Sequence, residues 1–256
     1  MAFRDQTNMG GVQCLFMTTH WSVVLEAGTC DAARRQEVLN YLLGRYWKPV
    51  YCYLRRKGYS NEAAKDLTQG FFEQIVLDKH LIRQADPQKG RFRTFVLSAL
   101  DHYLISCHRS ATRKKRCPKS EPFSLDSLEE GSLPPQSKEM EPHEMFTYMW
   151  ASSLLDGILA EVRQGCIRDH MQTYWELFRL HVLEPIVSGG PSPALRDLCQ
   201  RLGVPGETKA ANMIVTIKRR FQVAVRQAVR QHVDSEDEVD DEIRDLMEIL
   251  SKGRAS

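Results

Sequence analysis

A basic stretch toward the C-terminal end carries the side-chain types that read nucleic acid. From Lys209 to Arg230 the sequence has six Lys or Arg and no Asp or Glu. Asn, Thr and Lys near the N-terminal half of a helix suit hydrogen bonds to base edges, and the Lys and Arg behind them suit phosphates. Helical spacing places these side chains opposite an apolar stripe: Lys209, Asn212, Thr216, and Arg219 or Arg220. A solvated helix face is the alternative, but it rarely runs this far without a carboxylate partner. The pattern favours DNA binding.

A second basic stretch mixes cations with aromatic rings. Residues 91–119 hold eight Lys or Arg, and Asp101 is their one acidic residue. Phe92, Phe95 and Tyr103 are interleaved with this charge, together with His102 and His108. Cations hold a phosphate backbone and aromatic faces accept unstacked bases, which suits locally single-stranded nucleic acid. For each single aromatic, a place in the core is the favoured alternative.

A third segment has the pattern of a docking helix. It reads Asp66-Leu67-Thr68-Gln69-Gly70-Phe71-Phe72. A polar face beside a large apolar one suits contact with another protein's helix. An amphipathic helix packed in its own core is the alternative, and composition alone favours it.

Helix-like apolar spacing continues through most of the sequence, and strand-like alternation is absent, so the prediction is an all-α chain. Five prolines between 110 and 142 indicate a flexible linker between two helical domains. The predicted organisation is an N-terminal extension (1–30), a first domain (31–117), the linker (118–145), a second domain (146–233) and an acidic tail (234–256). Pro49 is expected to kink or split the long helix around it, and Ser60 is expected to cap the next one. Near the end of the second domain, the turn Gly203-Val204-Pro205-Gly206 joins two helices in a helix-turn-helix layout.

These segments resemble the extracytoplasmic-function sigma factors of bacterial RNA polymerase. The region-two-like motifs are DLTQGFFEQIV, GRFRTFVLSALDHYL and RSATRKKR, and the region-four-like helix-turn-helix is LGVPGETKAANMIVTIKRRFQVAVRQAV. The segments TTHWSVVLEAG and FSLDSLE resemble a divergent, planctomycete-like branch with an N-terminal extension. The resemblance covers about residues 18–232. Gly70 departs from it, since the family usually has an acidic residue there, and glycine weakens a helix by about 1 kcal/mol.

The resemblance implies a sigma factor that directs RNA polymerase core enzyme to promoter DNA and initiates transcription. Its polymerase-binding residues would be Asp66, Leu67, Gln69 and Phe72. The residues that would open and read the minus-ten element are Arg91, Phe92, Arg93, Phe95, His102, Arg109, Arg113, Lys114 and Arg116. Those that would enter the major groove at the minus-thirty-five element are Lys209, Asn212, Thr216, Lys218 and Arg219. The alternatives are a stand-alone helix-turn-helix regulator that does not bind polymerase, and an interaction protein without DNA contact. An anti-sigma factor and a regulatory kinase stay open as further partners.

The charge of +2 hides an asymmetry, because residues 234–248 hold nine Asp or Glu against Arg244 alone. Two hypotheses follow for this tail. It either packs on the body as an amphipathic helix through Val239, Ile243, Leu246, Met247 and Leu250, or its carboxylates mimic phosphates and cover a basic surface until polymerase binds.

Seven scattered cysteines without CxxC spacing indicate reduced thiols, and no window has the length of a membrane span. A cytoplasmic location without membrane contact is therefore expected. Motifs for catalysis, a metal or a cofactor are missing, so the prediction is a protein that is not an enzyme and uses no cofactor.

Overall fold

The computed structural model describes residues 32–77, 91–112, 140–230 and 237–252, and every regular element in these ranges is a helix. The all-α prediction is confirmed there. The elements are α1 (Ala32–Arg56), α2 (Asn61–Leu77), α3 (Phe92–Thr112), α4 (Pro142–Arg168), α5 (Gln172–Phe178), a π-helical turn (Arg179–Leu183), α6 (Glu184–Ser188), α7 (Leu195–Leu202), α8 (Glu207–Arg230) and α9 (Asp237–Lys252). The N-terminal extension and nearly all of the predicted linker lie outside the described residues.

Local signals explain the junction between α1 and α2. Gly58 follows α1 with a φ of +94°, a left-handed conformation that ends a helix. The Ser60 hydroxyl then accepts a hydrogen bond from the Ala63 backbone N–H at 3.2 Å, which confirms the predicted cap. Pro49 does not split α1, which runs through it as one helix. The helix persists because its apolar face is buried on both sides of the proline, at Tyr46 and Val50.

A first hydrophobic cluster draws on helices from distant parts of the sequence. Its fully buried members include Tyr46 and Tyr53 of α1 and Leu100 of α3. Phe146 and Trp150, from the start of α4, lie in the same cluster. Phe71 and Phe72 of α2, Val229 near the end of α8, and two residues of α9 also belong to it.

A second cluster lies farther along α4. Ile158, Val162 and Cys166 of α4 pack there with Phe178 and with Ile217 of α8. Leu154 of α4 and Val225 of α8 border both clusters. The helices α4 and α8 therefore connect the two cores, and the boundary drawn before residue 146 lies inside α4.

The acidic tail forms α9, which packs against α4 and α8. Val239 and Leu246 are buried in the first cluster, while Ile243 and Leu250 are partly buried against it. This confirms the amphipathic packing predicted for the tail, except at Met247, which is 68% exposed.

Candidate nucleic-acid interface

Two glycines shape the turn that orients α8. Gly203 has a φ of +67° and Gly206 a φ of +126°, and both values are ones that side-chain-bearing residues rarely adopt. Between them, Val204 is buried, and its N–H donates to the carbonyl of Cys199 at 2.9 Å. Leu198 and Ala210, on the two helices, are buried in the second cluster. The turn is thus anchored to the core, which fixes the direction in which α8 leaves it.

The outward face of α8 carries the side chains predicted to contact DNA. Lys209, Asn212 and Arg219 are exposed, and Thr216 is partly exposed. At about 100° per residue these four positions fall within roughly 80° of arc, whereas Lys218, also exposed, lies about 100° from Arg219. The structure therefore brings four of the five predicted residues onto one face and leaves Lys218 outside it.

Two polar side chains of α8 form contacts within the protein. The Thr216 hydroxyl donates to the backbone oxygen of Asn212 at 2.9 Å, so its oxygen is left as an acceptor for a ligand. Arg220 pairs with Asp169, after the end of α4, at 2.6 Å. This pair resolves the choice between adjacent arginines, since Arg219 stays on the outward face while Arg220 is held against the body.

The arginines at the start of α3 lie beneath α9. Arg91 Nε lies 2.9 Å from Glu242 Oε2, and Arg91 Nη1 lies 2.5 Å from Asp245 Oδ2. Arg93 donates to both carboxylate oxygens of Glu242, and its guanidinium carbon lies 4.5 Å from the centre of the Trp150 ring. The Glu242 side chain is 1% exposed. A carboxylate so deeply buried needs paired donors, and the two arginines supply them.

The rest of the predicted minus-ten set divides between core and surface. Phe92 is buried and packs edge-on against Tyr46, with 5.6 Å between ring centroids, and Phe95 is partly buried against the same cluster. Thus Phe92 presents no stacking surface in this conformation. His102 and Arg109 are exposed on α3. The remaining predicted members, Arg113, Lys114 and Arg116, lie outside the described residues.

Asp101, the acidic residue of this basic stretch, is neutralised locally. Its carboxylate accepts hydrogen bonds from Tyr53, from Lys57 at 3.0 Å and from His143 at 3.1 Å. Burial opposes ionisation of Asp101, but these bonds outweigh it and lower its pKa. Burial and the bond to Asp101 raise the pKa of Tyr53 to about 12. The carboxylate therefore ties α1, α3 and α4 together, and its charge is balanced by Lys57.

In the segment predicted to bind polymerase, the polar half faces solvent and the apolar half faces the core. Asp66 is exposed, and partly buried Gln69 donates to Glu73 at 3.1 Å. Phe72 is buried in the first cluster and Leu67 packs against it. In this conformation, Asp66 and Gln69 are the members of the predicted set that a partner can reach.

Gly70 has a steric reason for its place in α2. A Cβ added there would lie 2.5 Å from the Tyr103 hydroxyl oxygen and 3.6 Å from the ring carbon that bears it. The first distance is too short for any side chain without movement of Tyr103. The departure from the family pattern therefore coincides with a close approach of α3 to α2.

Sequence reasoning missed Glu242 and Trp150 as partners of the arginines, although one signal was present. Glu242 follows Val239 by three residues and precedes Leu246 by four, which places it on the apolar stripe of α9. A carboxylate inside such a stripe indicates a buried cationic partner. The identity of that partner has no comparable signal, because it lies far away in the sequence.

Among the described residues, no three His, Cys, Asp or Glu side chains approach closely enough to hold a metal ion. No helix in the described ranges combines the length and the apolar character that crossing a bilayer requires. No protein-family model, curated protein or solved structure matches the chain.

Proposed function

We propose that this protein binds promoter DNA through α8 and acts as a sigma-type specificity subunit of RNA polymerase. The observation that carries the proposal is the outward face of α8, where Lys209, Asn212 and Arg219 are exposed on a helix with no carboxylate beyond Glu207. Side chains of these types on a helix that follows a tight turn fit major-groove readout with flanking phosphate contacts.

The step from DNA binding to polymerase rests on the sequence resemblance and on the presence of two separate candidate DNA-contacting surfaces. The first is the face of α8, and the second is the exposed part of α3 that carries His102 and Arg109. A subunit that contacts two promoter elements needs two such surfaces on one chain. In this proposal α8 reads the minus-thirty-five element and α3 contacts the minus-ten element.

Transcription from a genomic promoter library with purified core polymerase tests the proposal. Adding the protein should produce specific start sites, and the variant Lys209→Ala/Arg219→Ala should lose them. Gln222→Ala is the control, since Gln222 is an uncharged, exposed residue of α8 that lies about 60° beyond Arg219 and outside the arc of the proposed face. Absence of specific starts with the unaltered protein refutes the polymerase role.

A stand-alone DNA-binding regulator is the second candidate, and one observation favours it. Leu67 and Phe72, the apolar half of the proposed polymerase contact, are engaged in the first cluster. Specific binding to duplex DNA in the absence of polymerase, without specific starts in its presence, identifies this function. If the protein binds DNA neither with nor without polymerase, the remaining hypothesis is an interaction protein without DNA contact.

A further inference from the structure

We propose that α9 occupies a phosphate-binding site formed by Arg91 and Arg93, so that a nucleic-acid strand and α9 bind there in mutual exclusion. This inference rests on the proposed function and adds its regulation. The arginines belong to the segment expected to contact the opened minus-ten element, and in this structure both are paired with α9.

The contacts are those that guanidinium groups make with phosphate. Arg91 is bracketed by two carboxylates, one from Glu242 and one from Asp245, and Arg93 engages both oxygens of Glu242. At Arg93, the two carboxylate oxygens of Glu242 facing one planar guanidinium reproduce the fork geometry of an arginine–phosphate pair. The carboxylates of α9 therefore stand where phosphate oxygens of a bound strand would be held.

The same helix also reaches α8. Asp240 of α9 pairs with Arg226 of α8 at 2.7 Å, and both side chains are largely exposed. Acidic side chains of α9 thus neutralise arginines on each of the two proposed DNA-contacting helices. Helix α9 is strongly acidic, because it has seven Asp or Glu and only Arg244 and Lys252 as basic residues. It therefore competes with a polyanion for the arginines of both DNA-contacting helices.

The attachment of α9 is compatible with release. Its fully or nearly fully buried residues are Val239, Glu242 and Leu246, and one of these three is the carboxylate. Once two phosphates of a bound strand take the places of Glu242 and Asp245, the arginines remain paired while both carboxylates return to water. The exchange then preserves the charge balance of the site.

The test measures binding of a labelled single-stranded oligonucleotide to the full-length protein by fluorescence anisotropy, without polymerase. Glu242→Gln/Asp245→Asn removes two charges that face the arginines. Asp241→Asn/Glu248→Gln is the matched control, because it removes two charges from the same helix whose ion pairs are with Arg244 and Lys252 of α9 itself. Glu242→Gln/Asp245→Asn should bind the oligonucleotide at least about fivefold more tightly than the control does. A factor of this size is typical of the coupling between two binding events on one protein.

Two further measurements test whether α9 is released. Hydrogen exchange in residues 237–252 should rise in Glu242→Gln/Asp245→Asn, and adding Arg91→Gln should abolish its gain in binding. If thermal melting shows that the double variant is unfolded, Asp245→Asn alone is measured instead, since Asp245 is partly exposed and should give a smaller gain.

The outcomes separate this inference from the proposed function. One outcome is that the unaltered protein, the double variant and the control bind the oligonucleotide equally, and that Arg91→Gln weakens this binding. The site then binds the strand with α9 in place, which overturns only the mutual exclusion of the strand and α9. No binding of single-stranded DNA by any variant overturns both the exclusion and the proposed contact of α3 with the minus-ten element. Transcription from the promoter library would still test independently whether α8 contacts promoter DNA.

Discussion

Replacing Gly70 with alanine is expected to destabilise the protein even though alanine is the better helix former. The helical preference alone favours Gly70→Ala by about 1 kcal/mol. Against it, the new Cβ would lie 2.5 Å from the Tyr103 hydroxyl oxygen, and such overpacking costs about 1–3 kcal/mol. The net loss in the free energy of unfolding should be about 1 kcal/mol.

The sign should reverse when the hydroxyl is removed. In a Tyr103→Phe background the nearest atom to the new Cβ is the ring carbon at 3.6 Å, an ordinary van der Waals distance. Gly70→Ala should then stabilise by about 1 kcal/mol, which gives a coupling of about 2 kcal/mol between the two positions. Urea denaturation of the four proteins of the cycle measures it. The same effect of Gly70→Ala in both backgrounds would refute the steric explanation.

The other predictions concern Asp101, the turn before α8 and the face of α8. Asp101 has a folded-state pKa below its ordinary value of 3.8, so the stability that its carboxylate contributes is present above that pH and is lost as the pH falls through the folded value. Asp101→Asn should therefore lower the free energy of unfolding at neutral pH. In urea melts under strongly acidic conditions, the stabilities of the variant and the unaltered protein should converge. Gly206→Ala should cost about 1–3 kcal/mol in thermal unfolding because of the φ of +126°, whereas Gly157→Ala, in open space on α4, should stabilise by about 1 kcal/mol. In DNA titrations at several salt concentrations, Asn212→Ala should relax preference at one base position by about 1–3 kcal/mol, while Lys218→Ala should weaken binding to all sequences and flatten the salt dependence. Identical behaviour of the last two variants would contradict the assignment of faces on α8.

Helix content could be predicted because its signals are local. Apolar spacing and the Ser60 cap act within a few residues, and each is observed as expected. The left-handed φ of Gly58, which ends α1, is a signal of the same local kind. Pro49 does not split α1, because burial of the flanking residues outweighs one missing backbone hydrogen bond. The π-helical turn Arg179–Leu183 has no simple sequence signal, and helix α6 follows directly after it.

The partners of each apolar face could not be predicted in the same way. Periodicity identifies which side of α9 is buried, but it is silent on whether that side meets α3, α4 or α8. For the candidate interface, the outward face of α8 followed from spacing alone. The covering of Arg91 and Arg93 did not, because it depends on a pairing between segments that no local pattern connects.

The salt bridge between Arg93 and Glu242 joins residues 149 positions apart. On a ribosome that adds about 5–20 residues per second, α9 is made roughly 7–30 s after α3. During that interval the growing polypeptide carries both arginines uncovered, next to a hydrophobic cluster that still lacks Val239 and Leu246. The nascent protein therefore passes through a period in which Arg91, Arg93 and part of the first hydrophobic cluster are uncovered together, so its yield in cells should depend on whatever shields them until synthesis is finished.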